Sequence, residues 1–301
     1  MIQQRRKTKA AMLSIVSNSL LIVLKFSVGL MINSVSIISE AIHSGVDLLA
    51  AIIAFIAVKA SAKPADKEHP YGHGKFENLS GTIEALLIFL AAAWIIYEAI
   101  EKLLHPVELF EVNWGIAVML LSSAVNTVVS KLLFKVGKES DSVALLADAW
   151  HLRTDVYTSL GVMAGLTLIV VGKKIIPESN LQWLDPAAAI VVALLIIKAA
   201  YHLTISAAKD LLDARISVDE EAWIKSYLSN LGNNICGYHD IRTRKAGSEI
   251  FLDFHLLVNP AMSVEESHRI ADSIEHDIQE HFKASKVIIH IEPAENSRGL
   301  S

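Results

Sequence analysis

A single cysteine among 301 residues excludes a disulfide framework and every zinc or redox site built on paired thiols. Low-complexity runs are missing, so disordered and fibrous classes fall away. An excess of positive charge is missing too. The formal net charge is -5, which gives no reason to expect nucleic acid as a partner. What the chain does have is apolar residues: 52% are hydrophobic, only 20% are charged, and the mean hydropathy is +0.43. That is too high for an ordinary soluble enzyme. The length allows two domains, or one membrane bundle with an appendage.

Charge divides the chain near residue 213. Ala214–Ser301 holds nine Lys and Arg against fourteen Asp and Glu, whereas the part before it holds eighteen of each sign. The tail also carries six of the twelve histidines: His239, His255, His268, His276, His281 and His290. An acidic, histidine-rich domain (214–301) thus follows an apolar one (1–213), and this composition favours cations as ligands.

Apolar runs of the roughly 20 residues that cross a bilayer recur six times. They fall near Ala11–Asn33, Ser36–Ala60, Leu79–Leu104, Trp114–Val136, Val143–Val171 and Ala187–Leu211. The first is too long for a signal-peptide core and is read as a helix. Lys and Arg gather in alternate loops: Arg5, Arg6, Lys7 and Lys9, then Lys59, Lys63, Lys67 and Lys75, then Lys131, Lys135 and Lys138, then Lys209 and Arg215. The opposite side receives only Lys102, Lys173 and Lys174. By the positive-inside rule both termini and the tail are expected on the cytoplasmic face of a multi-pass cell (inner) membrane protein. The tail pattern predicts a helix over Val218–Leu231, strands over Ile241–Lys245 and Glu249–Val258, a helix opened by a capping box at Ser263-Val-Glu-Glu266, and a strand over Val287–Ile291. The expected fold is an all-α six-helix membrane bundle with a small α+β domain of order α-β-β-α-β.

Ionisable residues inside spans are costly and mark function. The second span contains Glu40-Ala-Ile-His43-Ser-Gly-Val-Asp47 and the fifth Asp148-Ala-Trp-His151-Leu-Arg-Thr-Asp155. Histidine and aspartate four residues apart share a helix face. Two such faces meeting supply two nitrogens and two oxygens, a tetrahedral set for a divalent ion such as zinc. Glu40 and Asp148 either orient the imidazoles or lie near a wet end of the bundle, and Arg153 points off the ligand face. The loop after span two, with Asp66, His69 and His73 beside glycines, either closes on a metal or is a polar loop. His239, His255, His268, His290 and Glu292 sit at strand ends or on the second tail helix, where a small domain can bring them together. His276 and His281 read as solvated, and Cys236 as a lone buried thiol.

With the segment His69-Pro-Tyr-Gly-His73-Gly-Lys75 and the tail signatures Tyr-His239-Asp-Ile-Arg-Thr-Arg and Val-Ile-Ile-His290-Ile-Glu292-Pro, these motifs resemble the cation diffusion facilitators. That family comprises proton-coupled exporters of zinc and other divalent metals, including the bacterial ferrous-iron/zinc efflux proteins. The resemblance covers nearly the whole chain. It implies a homodimer in the lipid bilayer, a ferredoxin-like cytoplasmic domain, and metal/proton antiport rather than enzymatic activity. By position it implies a transport site at His43, Asp47, His151 and Asp155, and a loop site at Asp66, His69 and His73. A regulatory site at the cytoplasmic dimer interface would comprise His239, His255, His268, His290 and Glu292, and Lys75 and Asp213 match a salt bridge between bundle and domain. Position 43 is His where the best-known bacterial pattern has Asp, which suits zinc and counts against cadmium. Position 292 is Glu where that pattern has Asp. Zinc is the expected substrate and regulator, with iron(II), cobalt, manganese and cadmium as alternatives. A membrane metalloenzyme is the rival class, but no HExxH-like motif occurs. A zinc-gated sensor would need no paired sites in the membrane.

Overall fold

A computed structural model describes residues 2–31, 35–105, 113–175, 183–232 and 235–294. Two compact units divide the chain, Met1–Ala208 and Lys209–Ser301.

The first unit is built from six long helices: α1 (Ile2–Met31), α2 (Val35–Ser61), α3 (Lys75–Leu104), α4 (Asn113–Glu139), α5 (Val143–Ile175) and α6 (Leu184–Leu211). Among the described residues α1, α3, α4 and α6 are long and apolar enough to cross a bilayer, while α2 and α5 carry the paired motifs. Packing is inverted relative to a soluble protein. Large apolar side chains such as Leu20, Leu90, Trp94, Val128 and Leu195 face outward, and the interior is lined by alanines such as Ala54, Ala85, Ala144, Ala147 and Ala200. Lipid solvates Leu as well as a neighbouring Leu does, so helices associate through small residues that let backbones approach. Gly81 marks one close approach. A Cβ there would come within 2.7 Å of Val143 Cγ1, so α3 and α5 could not meet as they do with any larger residue.

The interior also holds polar side chains, and several of them meet one another. At one end Lys7 Nζ lies 2.6 Å from Glu77 Oε1, both side chains almost fully buried. Ser61 and Ser142 donate to the same carboxylate, so α1, α2, α3 and the start of α5 are tied at one point. Removing one partner of a buried pair strands the other charge and costs roughly 3–5 kcal/mol. Glu77→Ala is therefore expected to lower the thermal transition of detergent-solubilised protein by several degrees. The double variant Lys7→Met/Glu77→Leu should recover most of that loss. A single variant as stable as the parent would contradict the tie.

The second unit runs α7 (Val218–Ser229), β1 (Ile235–Ala246), β2 (Glu249–Val258), α8 (Val264–His281) and β3 (Ser285–Pro293). Its sheet order is β1-β2-β3, with β1 antiparallel and β3 parallel to the central β2. Phe254, Leu256 and Leu252 project from one face onto Ile224 and Leu228 of α7 and Ile274 and Ile278 of α8. β2 has the expected bounds, whereas β1 and β3 are longer than the pattern predicts: β1 begins at Ile235, well before the alternating run from Ile241, and β3 extends two residues beyond Val287–Ile291 at each end. The full capping box lies at Ser217–Glu220; at Ser263 only the side-chain half forms. Cys236 corrects the sequence reading: it is exposed rather than buried, sitting where the β1–β2 register shifts between Ile235 and Gly237. His276 is solvated as expected, whereas exposed His281 lies flat on Trp223 with ring centroids 3.7 Å apart.

Candidate metal centres

Among the described residues, three groups of side chains are placed so that they could hold a cation. In the first, Asp47 of α2 meets His151 and Asp155 of α5, their ligand atoms all within 4.8 Å of one another. His151 Nε2 lies 3.1 Å from Asp47 Oδ1, both residues buried. Spacings of four residues put His151 and Asp155 on one face of α5, and packing of α2 against α5 brings Asp47 to it. His151 Nδ1 is buried without a hydrogen-bond partner among the described residues. A buried imidazole, two carboxylates and an unused ring nitrogen form the donor chemistry of a divalent-ion site, and nothing there is a thiol. His43 lies on α2 one turn before Asp47, but its side chain, like that of Glu40, is outside the described residues. Arg153 lies off the ligand face, its guanidinium 5.9 Å from the centre of the Phe134 ring.

Around this group lie Asp148, already singled out by its spacing from His151, and two residues that the motif search passed over, Glu84 and Lys25. Asp148, fully buried, accepts from Ser14 of α1 at 3.2 Å. Glu84 of α3 is fully buried beside it, accepts from Ser80 at 3.0 Å, and its charge acts on that of His151. Glu84 Oε2 and Asp148 Oδ2 have no partner among the described residues. Lys25 of α1 donates to Ser44 of α2 at 2.8 Å. The signal was available, since each is an ionisable residue within an apolar run.

The second group occupies the loop between α2 and α3. Asp66 Oδ1 accepts backbone bonds from Glu68 and His69 at 3.0 and 2.7 Å, and the two carboxylate oxygens stand 3.5 Å from His69 Nδ1 and 3.4 Å from His73 Nε2. Gly72 at φ 90 makes the turn that returns His73 to the loop, a backbone region that favours glycine. His73 is buried against Phe76, with ring centroids 5.7 Å apart. The His69 amide, helped by that of Glu68 and by the two imidazoles, holds the Asp66 carboxyl below its ordinary value against a smaller opposing effect of burial. Asp66 is thus ionised and ready to bind at neutral pH.

The third group lies on the open face of the tail sheet. His239, His255 and His290 are cross-strand neighbours on one rung of β1, β2 and β3. Glu292, two residues beyond His290 on the same face, is their hub: Oε2 lies 3.0 Å from His239 Nε2, and Oε1 lies 3.0 Å from His255 Nδ1 and 3.5 Å from His290 Nε2. The His255 approach is close but outside the angular range of a hydrogen bond, so this nitrogen stays available. Burial pushes the Glu292 carboxyl up, but the hydrogen bond from His239 and the three imidazole charges outweigh it and hold the group below its ordinary value. Asp240, at φ 57 in a register shift of β1, joins His239 and His255 in a potential ligand set. His268 stands apart: its Nδ1 meets Asp272 on α8 at 3.1 Å. Asp213, at φ 55 after α6, accepts from Arg244 at 3.2 Å, and Lys75 opens α3.

Residues 11–212 match the family described as the cation efflux transmembrane domain, and residues 216–294 match that of the cation efflux protein, cytoplasmic domain. An uncharacterized transporter of Synechocystis sp. is 37% identical over 88% of this chain and 83% of its own. Another, from Methanocaldococcus jannaschii, is 32% identical over 96% and 99%. The cation-efflux pump FieF of Shewanella oneidensis is 29% identical over 95% and 94%.

Proposed function

Because the chain belongs to the cation efflux family of metal transporters, we propose that it exports divalent metal, zinc above all, in exchange for protons. The observation that carries this reading is the meeting of Asp47, His151 and Asp155 from two membrane helices. His43 completes the set as the second imidazole. Residues 1–213 form the transport domain and 214–301 a cytoplasmic regulatory domain, with both termini cytoplasmic in the inner membrane of a homodimer.

Metal enters from the cytoplasm, where the acidic loop group Asp66, His69 and His73 offers a first stop. At the transport site, binding needs neutral imidazoles and ionised carboxylates, so metal and protons compete for the same atoms. Alternating access turns that competition into exchange: protons from outside displace the metal once the bundle opens outward. In the tail, the histidine rung with Glu292 takes cytoplasmic metal and favours the transport-competent dimer, a coupling of about 1–3 kcal/mol if typical.

Flux of zinc, iron(II), cobalt, manganese and cadmium by purified protein in liposomes tests the reading. Zinc is expected to move fastest, with proton movement in the opposite direction, and collapse of the pH gradient should slow it at least several-fold. Flux indifferent to the gradient would replace antiport by facilitated diffusion. No flux of any metal would return the chain to the sensor class.

A further inference from the structure

Three lysines of α4 lie on the helix itself rather than in a loop. Lys131, Lys135 and Lys138 fall inside its apolar stretch Leu120–Glu139, and all three are exposed. Spacings of four and three residues make them one stripe. Lys131 stands eight residues before Glu139, the last residue of α4, and so about 12 Å in from that end. An ammonium on the lipid side of a span is costly unless it reaches back to the headgroup layer or meets an anion. No hydrogen bond or ion pair joins any of the three to a described residue.

The start of α1 adds positive charge beside them. Gln3 Nε2 donates to the Glu139 carbonyl at 2.9 Å and Arg6 Nη2 lies 2.6 Å from Glu139 Oε2, so the first turns of α1 lie against the last turn of α4. A cavity of about 330 Å³ opens at this seam, with Arg6, Val136, Glu139 and Ser140 in its wall. Arg6 spends one of its five N–H donors on Glu139, and exposed Lys9 follows it by three residues. Glu139 is the only acid in either helix, so cations outnumber it along the whole seam. Further in, the same two rows turn apolar: Leu13 and Leu20, seven and fourteen residues after Arg6, and Val128, seven before Lys135, are all exposed.

We propose that this outward furrow between the start of α1 and the end of α4 binds an anionic phospholipid, its phosphate among Arg6 and the lysines and its acyl chains along Leu13, Leu20 and Val128. The order of chemistry along the furrow is that of a lipid, cationic at the membrane boundary and apolar below it. A free phosphate would satisfy the cations but would leave the apolar rows as they are. A zwitterionic lipid brings an ammonium of its own, which the lysine stripe repels. The positive-inside rule accounts for basic loops, but it asks neither for lysines inside an apolar stretch nor for a cavity beside them. A lipid seated here touches both helices and so braces α1 against α4. The inference is independent of the metal sites.

The test titrates delipidated full-length protein in neutral detergent with phosphatidylglycerol, phosphatidylcholine or glycerol 3-phosphate, and reads retained lipid by native mass spectrometry and the thermal transition beside it. Phosphatidylglycerol is expected to stay bound and to raise the transition by several degrees, and phosphatidylcholine to do neither. K131Q/K135Q should weaken phosphatidylglycerol binding at least ten-fold and lose the rise, as removal of two cations at a headgroup implies. K131R/K135R keeps the charge and should match the parent. K59Q/K63Q removes the same charge from exposed positions at and just beyond the end of α2 and should keep the rise. Equal retention of the two lipids, or a rise that survives in K131Q/K135Q, would overturn the inference. So would its loss in K59Q/K63Q, which would make net charge rather than this furrow the cause. An equal rise with glycerol 3-phosphate would make the furrow a site for soluble phosphate and overturn the lipid assignment.

Discussion

Asp155→Ala and Asp47→Ala are each expected to bring zinc flux down to the level of protein-free liposomes, while both proteins still insert in the membrane. The ligand atoms of Asp47, His151 and Asp155 lie within 4.8 Å of one another, so on the proposed reading each would supply a separate corner of one site. A tetrahedral ion that loses one of four protein ligands retains an open position, which water fills at the expense of affinity and of the proton exchange that drives release. The loss should exceed the roughly 10–100-fold that groups one bond further out usually control. Glu84→Gln is the useful contrast. Glu84 is as deeply buried but touches the site through its charge alone, so its flux should fall by a smaller factor. Stability losses would be common to all three variants and can be read from their thermal transitions. Full flux in either aspartate variant would remove the site from the account.

The second large effect concerns the tail. The isolated fragment Arg215–Ser301 contains its own core, built on Leu252, Phe254, Leu256, Ile274 and Ile278. On its open face one carboxylate, Glu292, meets three imidazoles. Zinc that binds the folded fragment alone stabilises it by mass action, by about 4 kcal/mol when free metal exceeds Kd a thousand-fold. For so small a domain that is a rise in melting temperature of more than 10 °C. His255→Ala with His290→Ala should erase the rise. The metal-free fragment has its own acid dependence. Glu292 is held below its ordinary value in the fold, so its stabilising contribution is present above that ordinary value and fades as pH falls through the lowered one. In the proposed homodimer two acidic copies of the domain would repel each other, and bridging cations would offset that repulsion. In the full protein the double variant should weaken metal activation while leaving basal flux. An unchanged melting temperature with zinc would make these histidines ordinary surface residues.

The paired motifs of α2 and α5 were legible because their spacing states a helix face, and a face is a local property of sequence. So were the loop group, where Asp66, His69 and His73 lie within eight residues, and the α-β-β-α-β order of the tail. The rung of His239, His255 and His290 was only half legible. The residue types pointed to metal, but their alignment depends on strand register, which no local pattern encodes across fifty residues. The same holds for Glu292 as the hub, and for Asp240, which reaches the group through a register shift and a left-handed backbone. Cys236 was misread for a related reason, since that shift turns outward a thiol whose composition alone suggests burial. Lys7–Glu77 and Lys25–Ser44 join helices in ways set by tertiary packing, although each charge within an apolar run was itself a visible warning.

The central claim is that a divalent ion in transit is held between α2 and α5. Zinc-edge X-ray absorption on full-length protein carrying His69→Ala, His73→Ala, His239→Ala, His255→Ala and His290→Ala tests it most directly, since the loop and tail groups then have no imidazole left. The account predicts one zinc per chain in a four-atom shell of nitrogen and oxygen at about 2.0–2.2 Å, with no sulfur, lost when Asp155→Asn is added. A chain that retains no zinc, or whose spectrum is unaltered by that added substitution, would contradict it.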